Sequence, residues 1–261
     1  MIEERIHRFE LKKSRGISYR EAGKGRALLL MHGIGASSAS WLYQLEGLKG
    51  YRLIAWDAPG YGESEFLPRD EPLAADYAAA LREFVDSLLL KDIVLVASSL
   101  GGLMAGAYAR LQPERVRAVM MISPAGGRGG DRAFLQERLK QFDDLGPEGL
   151  AEHRSPTMLG SKAQPDALEL VRWSQRRVRA RGYRQATHAL AHSRLVDDAR
   201  FFPKPVLVVC GTEDKITPED GCKAIARAYP SGQYRALPGL GHVAHLEDPA
   251  QLNPLIADFA G

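Results

Sequence analysis

Five strand-sized runs are apolar at almost every position, rather than at every second one, and they constrain the fold of this chain most. They are residues 27–31, 52–56, 93–97, 116–123 and 205–210. A strand with one face in water alternates apolar and polar side chains; a strand covered on both faces does not. Between and after these runs lie segments of helical period, residues 74–90, 100–111, 219–229 and 249–259. In the first of them Tyr77, Leu81, Phe84 and Leu88 recur at three- and four-residue steps, forming one apolar stripe to lay on a sheet. The order predicts an α/β fold with a mostly parallel central sheet and helices on both faces. Ahead of it, alternating stretches at 5–11 and 16–20 predict an antiparallel hairpin.

The alternation breaks between Pro124 and Pro203, where no strand-like run occurs and residues 135–142, 165–180 and 184–195 read as helices. The expected division is therefore a core of residues 1–123 and 204–261 with a helical cap, residues 124–203, inserted between the halves. The Gly-Gly-Arg-Gly-Gly stretch at 126–130 reads as a loop or hinge. With 261 residues the chain is long enough to bury a full core.

No stretch approaches the ~20 apolar residues of a membrane-spanning helix. The first residues carry acids, Glu3 and Glu4, where a secretory signal carries bases, and no apolar segment follows. The expectation is a cytoplasmic protein with no membrane partner. Cys210 and Cys222 fall in a predicted strand and helix without metal-ligand spacing, which suggests buried thiols. Net charge is +3, and residues 124–204 hold 15 Lys/Arg against 10 Asp/Glu. That excess is too small and too mixed with acids to suggest nucleic-acid binding.

Residues 94–102, Val-Leu-Val-Ala-Ser-Ser-Leu-Gly-Gly, carry a buried strand straight into a helix through small residues flanking a serine. Ser99 has Ala97 and Gly101 two positions away. Ser98 has Val96 and Leu100, which would crowd a tight turn. The plainer reading is a helix capped by serine. The segment resembles the nucleophile elbow of the α/β-hydrolase family, Gly-x-Ser-x-Gly, with alanine at 97 where the family usually has glycine. The resemblance extends over nearly all of the chain outside the cap, and it places Ser99 at the nucleophile.

Met31-His-Gly-Ile-Gly35 follows a strand and resembles the family's His-Gly loop, which implies an oxyanion hole of the Ile34 and Leu100 backbone N–H groups. The side chain of His32 is read as structural. Residues 57–64, Asp-Ala-Pro-Gly-Tyr-Gly-Glu-Ser, resemble a family loop that braces the site, so Asp57 is left out of the chemistry. Gly211-Thr-Glu-Asp-Lys-Ile-Thr-Pro218 resembles the loop of the catalytic acid and points to Asp214, with Glu213 as its rival. The Gly-His of residues 241–242 points to His242, whereas His245, three residues on, reads as a cap or surface group. Chain order Ser, Asp, His is that of the family.

The resemblance implies a Ser99–His242–Asp214 triad acting on a small-molecule acyl substrate, an ester or lactone, with no cofactor and no metal. A carbon–carbon hydrolase of vinylogous diketones would use the same residues, although those relatives often carry asparagine where this chain has Ser98. A receptor built on the same fold is the alternative of a different class. Six arginines at 172, 176, 177, 179, 181 and 184 admit two readings. One of them holds a substrate carboxylate, or all form a solvated face that pairs with acids, including those of a neighbouring subunit in a homo-oligomer. The second is favoured and no arginine is assigned to the site.

Overall fold

The computed structural model describes residues 1–261. Eight strands form one sheet: β1 Leu11–Ser14, β2 Ile17–Ala22, β3 Arg26–Met31, β4 Tyr51–Trp56, β5 Ile93–Ser98, β6 Val116–Ile122, β7 Val206–Gly211 and β8 Gly232–Leu237. Their spatial order is β1-β2-β4-β3-β5-β6-β7-β8. From β4 to β8 all pairings are parallel, while β1–β2 and β2–β4 are antiparallel.

Both faces of the sheet are covered, which is why the central runs are apolar throughout. In β3, Leu29 and Met31 face one layer and Leu28 and Leu30 the other. The first layer holds Tyr77, Leu81 and Phe84 of α3 (Ala74–Ser87), Leu103 and Tyr108 of α4 (Leu100–Leu111) and Ile225 of α9 (Glu219–Ala228). The second holds Leu45 of α2 (Leu42–Gly47) and Leu252 and Ile256 of α11 (Pro249–Ala260). Cys210 and Cys222 are free thiols buried in the first layer.

The amino terminus departs from the expected hairpin. Residues Ile2–His7 form helix α1, and the hairpin is β1 with β2, closed by Arg15 and Gly16 at φ +48° and +73°. Left-handed φ at both central residues is the turn that matches strand twist. Ile2 and Ile6 are one helical turn apart and both buried, beside Leu170 and Val171 of α6 (Pro165–Gln175). Glu3 and Glu4 sit in the first turn, where acids favour a helix. So short a window does not separate a period of 2 from one of 3.6.

Between β6 and β7 the chain is helical: α5 Arg132–His153, α6, α7 Ala180–His192 and α8 Leu195–Ala199. Helix α5 is kinked at Gly146, φ +61°, with Pro147 after it. A separate cluster of Phe142, Leu150, Val178 and Tyr183 holds this segment together, and Ile34, from the loop after β3, packs against it. The remaining helix, α10 (Ala244–Glu247), follows the loop that leaves β8.

Candidate active site

Ser99 lies at the junction of β5 and α4 with φ +52° and ψ −116°. A non-glycine residue in that region carries strain of about 1–3 kcal/mol and persists only where its surroundings impose it. Here β6 imposes it: the Ser99 N–H donates to Ile122 O at 3.0 Å, while Ser99 O accepts from Gly102 N at 2.9 Å and Ala125 N at 3.0 Å. Helix α4 also runs hard against β3. A Cβ at Gly101 would lie 2.3 Å from Met31 O and 2.9 Å from His32 O. Ser98 still belongs to β5, paired with Ile122, so it is Ser99 that occupies the strained turn, although both serines line the cavity.

Asp214 leaves the end of β7 and His242 the loop after β8. The structure brings them together, with His242 Nδ1 2.9 Å from Asp214 Oδ2 and both side chains almost wholly buried. The other carboxylate oxygen, Oδ1, accepts from Ile216 N at 2.8 Å and Thr217 N at 3.0 Å. Burial alone would raise the Asp214 pKa. The hydrogen bond and charge of His242, with the donors of Thr217, outweigh it and hold the group at about 2. Glu213 points elsewhere: its exposed carboxylate accepts from Ser161 N and Oγ at 2.7 and 2.6 Å.

Ser99 and His242 line one cavity of about 410 Å³, together with Ile34, Thr217 and apolar side chains such as Leu150, Val171 and Ile225. Leu100 opens α4, so its N–H has no intrahelical acceptor. The Ile34 and Leu100 amides thus belong to the two backbone segments, after β3 and after β5, that flank Ser99.

The neighbouring motif residues serve the scaffold. His32 Nε2 accepts from Ala58 N at 3.0 Å, so its Nδ1 carries the proton and donates to Gly33 O at 2.8 Å. Burial lowers its pKa and keeps the ring neutral. Asp57 accepts from Ser38 N at 2.6 Å and Ser18 Oγ at 2.7 Å, tying β2 to the loop after β3.

Comparison with known proteins defines the relationship. The chain matches the family described as the alpha/beta hydrolase fold over residues 26–249. The chain belongs to that family. A 2-hydroxy-6-oxo-6-phenylhexa-2,4-dienoate hydrolase of Burkholderia cepacia is 27% identical over 93% of this chain and 90% of that protein. A thermophilic esterase from Thermogutta terrifontis superposes with a TM-score of 0.84 at 25% identity, covering 96% of both chains. An enol-lactonase from Burkholderia xenovorans LB400 superposes with a TM-score of 0.85 at 21% identity, covering 96% of this chain and 99% of the other.

Within this α/β-hydrolase three features differ from, or go unseen in, the sequence reading. His245, expected as a cap or surface group, is buried against Trp41 with ring centroids 4.4 Å apart, and neither nitrogen has a partner. Burial, and then the charge of His242, lower its pKa to about 3, so it packs as a neutral ring. The reason is the short helix α10, which turns residue 245 inward rather than toward solvent. Glu247 was missed as a bracing group: its buried carboxylate accepts from Gly160 N at 2.7 Å, Gly241 N at 2.8 Å and Val243 N at 3.1 Å, fixing the loop on both sides of His242. A lone glutamate five residues past a histidine carries no local signal of that role.

Thr217 was missed as well. Its hydroxyl lies 2.8 Å from Asp214 Oδ2, 3.1 Å from His242 Nδ1 and 3.1 Å from Ser123 O. One hydroxyl proton serves one acceptor at a time, and its oxygen can accept from the imidazole. Five of the six arginines of 172–184 pair with acids of the chain: Arg172 and Arg176 with Glu152, Arg177 with Glu3, Arg181 with Asp70 and Arg184 with Asp143. Arg179 donates to Tyr61 O and Ser64 O. None of the six lines the cavity.

Proposed function

We propose that this α/β-hydrolase cleaves a carboxylic ester or lactone through an acyl-enzyme on Ser99, with residues 124–203 as the cap that shapes the substrate cavity. The observation that carries the reading is the Asp214–His242 pair, 2.9 Å apart, on the cavity into which the strained Ser99 opens. With Nδ1 held by the carboxylate, Nε2 is the basic nitrogen. It takes the Ser99 proton as Oγ bonds to the acyl carbon, and the carbonyl electron pair moves onto oxygen. The Ile34 and Leu100 N–H groups receive that oxyanion, each donor contributing roughly 3–4 kcal/mol. Collapse expels the alkoxide, which takes the proton from Nε2. Water then repeats the attack, releasing the acid and restoring Ser99.

Hydrolysis of a carbon–carbon bond in a vinylogous diketone is the second reading, favoured by the name of the Burkholderia cepacia relative. One experiment addresses both. Aryl esters of varied chain length, lactones and vinylogous diketones are offered to wild type and Ser99→Ala. Turnover of esters or lactones, lost roughly 10⁴-fold or more in the variant, is the expected result. A folded Ser99→Ala protein with wild-type turnover overturns the mechanism, and preferred turnover of the diketones selects the second reading.

A further inference from the structure

Five of the six arginines at 172–184 have carboxylate partners, and the sixth, Arg179, donates to backbone carbonyls. The cavity wall holds four others, Arg128, Arg138, Arg154 and Arg194, and not one aspartate or glutamate. None of these four reaches a carboxylate within ion-pair distance, although Arg172 and Arg176, packed nearby, share Glu152 between them.

Arg128 and Arg194 are exposed at the rim, whereas Arg138 and Arg154 are half-buried and converge on one oxygen. Arg138 Nε donates to the Tyr183 hydroxyl at 3.1 Å and Arg154 Nη1 donates to the same hydroxyl at 3.3 Å. Each guanidinium has five N–H donors and spends one on Tyr183, and both residues line the cavity. Tyr183 itself is fixed, 1% exposed and stacked on Phe142 with ring centroids 4.4 Å apart. Ile34 packs against the same cluster, so the arginine pair shares a wall with the loop that flanks Ser99.

Two cations drawn out of water beside each other are unfavourable without a counter-charge. Burial, and then Arg138, lower the Arg154 pKa to about 10, which records the same tension. Planar guanidinium groups bind carboxylates through paired, charge-assisted hydrogen bonds.

We propose that Arg138 and Arg154, bridged by the Tyr183 hydroxyl, form a carboxylate subsite, so that the substrate is an acyl compound bearing a free carboxylate at the end remote from the scissile carbonyl. This rests on the hydrolase reading of the same cavity. The substrate class is then a half-ester of a dicarboxylic acid or a lactone carrying a carboxylate. Arg138 and Arg154 are specificity residues: they hold the far end of the substrate while Ser99 attacks the near one. The surrounding apolar wall suits the intervening methylenes.

The test compares mono-p-nitrophenyl adipate with p-nitrophenyl hexanoate, a similar ester without the charge. The expected result is a kcat/KM at least about tenfold higher for the anionic ester in wild type, expressed mainly in KM. In Arg138→Gln, Arg154→Gln and the double variant that ratio falls stepwise toward one, and Arg154→Lys recovers part of it. Using the ratio cancels any general loss of folded enzyme. Calorimetric titration with adipate gives a second readout independent of turnover: wild type and Ser99→Ala bind it and the double arginine variant does not. Equal kcat/KM for the two esters in wild type, or a ratio and adipate affinity unmoved by the double substitution, overturns the subsite. Loss of ester turnover dependence on Ser99 with adipate binding intact would instead overturn the hydrolase reading alone.

Discussion

Asp214→Asn tests the site where geometry and electrostatics make one joint statement. In the wild type Oδ2 accepts from the imidazole Nδ1 and Oδ1 accepts from two backbone amides. The amides retain an oxygen acceptor in the variant, which leaves the amide NH₂ facing Nδ1. Two donors cannot face each other, so the ring shifts its proton to Nε2 and loses the base that the proposed attack by Ser99 requires. The expected fall in kcat is about 10⁴-fold, the loss that the same change of tautomer produces in serine proteases. Glu213 does not substitute, because its carboxylate is committed to Ser161 on the far side of the loop.

The same substitution has a stability signature. The Asp214 pKa falls from 3.8 to about 2 on folding, and such a shift corresponds to roughly 2 kcal/mol. Because the folded value is the lower one, this stabilisation is complete above pH 3.8 and is lost as pH falls through 2. Urea unfolding of wild type and Asp214→Asn at pH 5 and pH 2.5 measures it. The difference between the two proteins should shrink on acidification by a large part of that amount. A difference independent of pH, or a variant with more than a tenth of wild-type kcat, would refute the argument.

Two further substitutions test the frame around Ser99 and the Asp214–His242 pair. Glu247→Gln places an NH₂ group among three backbone N–H donors; it should lower stability by about 1–3 kcal/mol in urea unfolding and reduce kcat more than it raises KM. Gly101→Ala drives a methyl group into Met31 O and His32 O; a loss of about 1–3 kcal/mol and of most activity is expected, and wild-type values would show that α4 can withdraw from β3 without disturbing Ser99.

How far the sequence revealed this molecule depended on how local each cause was. Strands β3 to β7 were legible within a residue or two because burial on both faces writes a continuous apolar run. The edge strands were less so: β8, with its intermediate and exposed positions, reads more weakly than the histidine loop that follows it. Helix α1 was mistaken for a strand because six residues hold too little period, and its packing against α6 comes from more than 150 positions away. That Ser99 rather than Ser98 takes the tight turn could be read from the size of the side chains two positions to each side, a strictly local matter. The loop motif pointed to Asp214 but left Glu213 beside it as a rival, and only the fold shows which carboxylate His242 approaches.

The arginines show the same contrast between local and distant causes. The run at 172–184 was conspicuous because its charges lie close together in sequence, yet its partners are scattered at Glu3, Asp70, Asp143, Glu148 and Glu152. Clustering in sequence therefore marked a face that the chain itself neutralises. Arg138 and Arg154 stand 16 positions apart on either side of the Gly146 kink and form no pattern in sequence. The kink breaks the helical register between them, and Tyr183 from α7 supplies the oxygen on which both converge. A charge that folding leaves without a counter-charge marks a place for a ligand better than a charge that is merely abundant. By that criterion the proposed carboxylate subsite falls on the pair that the sequence conceals.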